Sequence, residues 1–126
     1  MYMDEAGAIE RFQQSWRDVE KQLEQRIDDD GVIYLVPLLM LVQRMSTAGE
    51  DRCFRLHTMN RKLLFSRSAR SQFRKPQVYL ELELMENNFV VTLRDIEKMH
   101  RQFTIKDLDD ERFAGLLQTV RDLPID

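Results

Sequence analysis

The sequence predicts an α+β domain: a long N-terminal amphipathic helix and a short apolar helix, then a four-stranded antiparallel meander, then a C-terminal helix packed on one sheet face. Three observations carry this reading. Apolar residues recur at helical spacing over residues 9–27 and again over 113–123. Between residues 53 and 93 the period falls to two. Tyr79-Leu80-Glu81-Leu82-Glu83-Leu84 alternates without a break, which sets three leucines on one face. At 126 residues, with 43% hydrophobic and 33% charged, the chain suits one folded domain, 1–126, and neither a disordered nor a collagen-like polymer.

Residues 3–27 read as the first helix. Ile9, Phe12, Trp16, Val19, Leu23 and Ile27 fall on one stripe, and the positions between them are charged or amide side chains. The run Asp28-Asp29-Asp30-Gly31 ends it, because acids oppose the dipole at a helix C-terminus and glycine accepts the left-handed turn. Residues 32–36 have strand composition and are expected to be an extended lead-in. Pro37 then opens a helix over 37–47, ended by Ala48-Gly49 and apolar on nearly every side. That pattern predicts the most buried element of the fold.

Residues 53–59, 63–68, 79–84 and 89–93 read as strands, with turns at 60–62 and at Glu86-Asn87-Asn88 and a polar loop near 70–76. Leu93, Ile96, Met99, His100 and Phe103 keep a helical spacing that fits a short helix or an extended lead. Asp107 is the expected cap of a helix over 108–123, with Phe113, Leu116, Leu117, Val120 and Leu123 facing the core and Pro124 stopping it.

The longest apolar run, residues 32–42, is half the length of a bilayer span and contains a proline, so no membrane partner is expected. The acidic start has no leader-like h-region, and a lone cysteine, Cys53, predicts a reducing, cytoplasmic setting. No phosphate loop, zinc-binding pair or nucleophile elbow is present, so neither an enzyme nor a cofactor is expected. His57 and His100 fall on separate elements, and Asp28-Asp29-Asp30 lacks the alternate spacing of a hard-cation loop, so no metal is expected.

Charge is segregated: residues 1–51 carry −6, residues 52–80 carry +8 with no acid, and residues 81–126 carry −5. Arg55, Arg61, Lys62, Arg67, Arg70, Arg74 and Lys75 therefore make the candidate partner- or anion-binding face. They point to an adaptor domain that holds an acidic protein surface. Interleaved with Phe54, Phe65, Phe73 and Tyr79, the same block could instead bind single-stranded nucleic acid by stacking, although a sequence pI near 5.4 weighs against it. A third reading is a small-molecule pocket between sheet and second helix. The stripe of Ile9, Phe12, Trp16, Val19 and Leu23 is longer than a four-stranded sheet covers and predicts a homodimer through the first helix. Met40, Met45, Met59, Met85 and Met99 could make an adaptable binding surface, but core filling is the usual explanation.

Overall fold

Ala8, Phe12, Trp16, Val19 and Leu23, spaced at helical intervals, form the buried seam of helix α1 (Glu5–Asp28). The computed structural model describes residues 5–69, 78–95 and 98–125. After α1 the chain turns through Gly31, whose φ of 69° is left-handed, and the Val32 amide donates to the Arg26 carbonyl at 3.1 Å. A 3-10 turn, Ile33–Leu35, leads into helix α2 (Val36–Thr47), with Pro37 in its first turn. The expected extended lead-in is therefore absent. The glycine turn leads the chain into α2, and among the described residues no strand pairs with residues 32–36. Gly49, at φ 88°, ends α2 before a second 3-10 turn, Glu50–Arg52.

Five strands follow in chain order: β1 (Arg55–Met59), β2 (Lys62–Ser66), β3 (Val78–Leu84), β4 (Phe89–Asp95) and β5 (Lys98–Ile105). They form one antiparallel sheet in the order β1-β2-β3-β4-β5. The meander thus has five strands where four were expected. The helical spacing of Leu93, Met99, His100 and Phe103 is coincidental. Met99 and His100 are exposed, and the residues that turn inward are Phe103 and Ile105, two apart, as a strand requires. The Asn60 turn takes a left-handed φ of 53°. The connection over residues 70–77, read from sequence as a loop, lies outside the described residues.

Helix α3 (Glu111–Arg121) closes the fold. Its cap is Asp110, which accepts the Arg112 amide at 2.9 Å, and not Asp107. Asp107 instead accepts the Asp109 amide at 2.8 Å, a local turn, and the helix begins three residues later than expected, at Glu111.

All three helices cover one sheet face. Leu56, Leu63, Phe65, Leu80, Leu82, Val91, Leu93 and Ile105 share a core with Trp16, Leu23, Leu38, Leu41, Val42, Phe113 and Leu116. Phe65 is its aromatic centre, with ring centroids of Phe54, Trp16 and Phe113 at 5.9, 6.1 and 6.2 Å. The Trp16 Nε1 donates to the Phe54 carbonyl at 2.7 Å, and the Ser15 Oγ accepts the Leu56 amide at 2.9 Å, so α1 satisfies the outer edge of β1. The free edge of β5 carries Lys98 and Arg101, and the register slips beside Arg94. Both features discourage strand addition there. No helix among the described residues is long and apolar enough to cross a membrane.

Candidate functional site

Among the described residues the basic block does not gather on one surface. Arg61 and Lys62 lie at the β1–β2 turn, whereas Arg55 and Arg67 lie at the other end of the hairpin, where Arg55 pairs in register with Ser66. Arg70, Arg74 and Lys75 lie outside the described residues. Each described member has a partner within the molecule or an environment that changes its role.

Arg67 is a structural strut. Its Nη1 donates to the Cys53 carbonyl at 2.6 Å, its Nε donates to the Leu123 carbonyl at 3.0 Å, and its guanidinium lies 5.9 Å from the Phe12 ring centre. It ties the start of β1, α1 and the C-terminal segment together. Arg55 is partly desolvated, and burial, followed by the nearby charge of Arg11, lowers its pKa. Lys62 belongs to a bridge on the sheet face opposite the helices. Glu81 receives Lys62 Nζ at 3.3 Å on one oxygen and Arg94 Nε at 2.9 Å on the other, so one carboxylate spans β2, β3 and β4. The aromatic faces that stacking would need are buried: Phe54, Phe65 and Tyr79 all face protein, and Phe73 lies outside the described residues.

Arg61 is different. It is exposed, and its guanidinium rests 4.2 Å from the centre of the Tyr34 ring. Arg26 reaches the same corner, donating to the Asn60 carbonyl at 2.8 Å.

Tyr34 leads to the feature that the sequence reading missed. Ile33 is 73% exposed, Tyr34 45%, Val36 37% and Met40 63%. Pro37 is exposed beside them. In the geometry of α2, residues 33, 36, 37 and 40 share the side opposite Leu38, Leu41, Val42 and Met45, which are buried. The helix expected to be the most buried is therefore apolar on two faces, and only one is covered. Of the five methionines read as core filling, Met45 alone is buried, while Met40, Met59, Met85 and Met99 are exposed. The signal lay in the sequence: α2 is apolar around its circumference, and a domain of two layers covers each helix on one side only.

The α1 stripe is consumed inside the monomer. Phe12, Trp16, Val19 and Leu23 are buried, and Ile9 is half-buried. Ala8 and Phe12 pack with Ala69 and Ile125, which covers the length of stripe that the sheet leaves over. In the monomer this seam offers no surface to a second chain.

A shallow open cleft is lined by Thr104, Lys106, Asp107, Asp109, Asp110, Glu111 and Arg112. Its acids already serve the α3 terminus: Arg112 bonds both oxygens of Asp110 and holds that carboxyl down at about 2. Among the described residues no three His, Cys, Asp or Glu side chains are grouped to hold a metal ion. Compared with known protein families, curated proteins and solved structures, the chain matches none.

Proposed function

We propose that this chain is a protein-interaction domain that docks its partner on the solvent face of α2 and the turn before it. One observation carries the reading: the large apolar side chains at positions 33, 36 and 40 are left in water on one side of α2 and the turn before it, with Tyr34 exposed in that turn, in a protein whose other helices bury their apolar seams. Exposing such a contiguous stripe is unfavourable at about 25 cal/mol per Å² unless something covers it. The corner guanidiniums of Arg61 and Arg26 favour a partner with acidic groups at the edge of its own apolar face. The acidic partner is accordingly proposed at this surface, with Arg61 as its contact and Arg55, Lys62 and Arg67 as internal structure.

The test is a titration with labelled helical peptides of about 15 residues that carry one leucine stripe. One version has glutamates along the stripe edge and the other has lysines. The glutamate peptide should bind roughly tenfold tighter, and Met40→Asp should abolish its binding without altering circular dichroism. Equal, Met40-insensitive binding of both peptides, or no binding of either, would reject the reading.

A further inference from the structure

This inference rests on the reading of α2 as a docking surface and fixes the chemistry of what covers it. We propose that the surface continues past α2 onto the β1–β2 turn and the end of β3. Its occupant is a partner segment with one carboxylate, seated on Arg61 and flanked on both sides by apolar side chains.

Direct contacts join the two parts of this surface. The Arg61 guanidinium rests 4.2 Å from the centre of the Tyr34 ring, on the α2 side. The Arg61 carbonyl accepts the Leu84 amide at 2.9 Å, which holds the turn against the end of β3, where Met85 follows. Met59 closes the same turn, in register with Lys62. Both methionines stand in water, Met59 at 43% and Met85 at 41%. Apart from the stripe on α2 and its lead-in turn, and Met99 on β5, they are the exposed large apolar side chains among the described residues. Arg61 therefore borders the α2 stripe without ending the apolar surface, which resumes on its other side.

That position sets the chemistry of the partner. A guanidinium stacked on an aromatic ring keeps its N–H edge for two parallel bonds to a carboxylate. Apolar groups closing over such a pair exclude water and strengthen it. An arginine and a tyrosine ringed by contacts that keep water out are the usual make-up of an interface hot spot, and methionines adapt to the shape of what covers them. The hairpin end is also held in advance: Arg26 donates from α1 to the Asn60 carbonyl at 2.8 Å, so little order is lost on binding. Asp28, Asp29 and Asp30, close to Arg26 at the end of α1, and Glu86, next to Met85, are exposed as well. They offset the basic charge at a distance, so the corner acts through one carboxylate at contact range.

Three helical peptides of about 15 residues test this. One carries a single glutamate at the centre of its leucine stripe, the second has glutamine there, and the third has the glutamate moved to the polar face. The first should bind roughly tenfold tighter than either of the others. Arg61→Gln should bring it down to the level of the glutamine peptide, whose own binding should hold. Met85→Asp should weaken the first peptide about fivefold, whereas Met99→Asp should not, with circular dichroism unchanged in every variant. A central glutamate that binds no tighter than glutamine overturns the proposal. So does a Met85→Asp variant that binds as wild type does, or equal losses in Met85→Asp and Met99→Asp. If these tests fail while the glutamate-edged peptide still binds in a Met40-dependent way, the partner is confined to α2 and the docking reading stands. If no peptide binds, both fall.

Discussion

The indole of Trp16 donates its single proton to the carbonyl oxygen of Phe54, at 2.7 Å, across 38 residues of sequence. Both residues are buried, so no water can replace the bond. The contact fixes α1 against the residue just before β1. Trp16→Phe keeps most of the ring volume and removes the donor, leaving the Phe54 carbonyl unsatisfied. The expected cost is about 2 kcal/mol, read as a lower urea midpoint at unchanged slope.

Arg67 is predicted to be a stability residue. Arg67→Glu places a carboxylate among the carbonyls of Cys53 and Leu123 and should leave the chain largely unfolded. Arg67→Lys retains the charge but cannot make both bonds from one nitrogen in the same plane, and should cost about 2 kcal/mol. A lysine variant as stable as wild type by chemical denaturation would refute the strut.

Glu81 is predicted to couple three strands. Glu81→Gln keeps the shape and removes the charge shared by Lys62 and Arg94, at an expected cost of about 1–2 kcal/mol. A double-mutant cycle with Lys62→Met should recover part of that loss as coupling, and the coupling should shrink in high salt. Additive effects would mean that the bridge contributes nothing.

His57 gives the domain an acid-sensitive term. Burial first, and then the neighbouring Arg55 charge, lower its pKa, so the unfolded chain takes up the proton more readily than the folded one. The stability contribution is complete above the unfolded value near pH 6.5, and it is lost as pH falls through the lowered folded value. His57→Gln should therefore flatten the fall in stability below about pH 6.5. Parallel wild-type and variant curves would show that His57 does not titrate on folding.

The fold was largely legible because its elements depend on short-range periodicity. The α1 stripe, the alternation of β3 and the Phe113–Val120 face all express burial on one side of a regular element. Strand β5 was not legible, since Met99 and His100 mimic a helical stripe and only pairing with β4 decides the matter. The roles of the described basic residues were not legible for a related reason. A count of charges along the chain does not say that Arg67 turns inward to two carbonyls or that Lys62 meets Glu81, 19 residues away. The α2 surface was hidden by an inference from composition: an all-apolar helix was taken to be buried all round, yet Ile33 and Met40 face water.

The central claim is that α2 presents a docking face, and methionine-methyl NMR tests it most directly. Four of the seven methionines, Met40, Met45, Met59 and Met99, lie on the exposed side of α2, in the core, at the end of β1 and on β5, so each of these methyls reports on a different site. As the glutamate-edged peptide is added, the Met40 signal should shift while Met45 and Met99 hold still. A Met40 signal that stays fixed through the titration, or that moves only in step with Met99, would contradict the account.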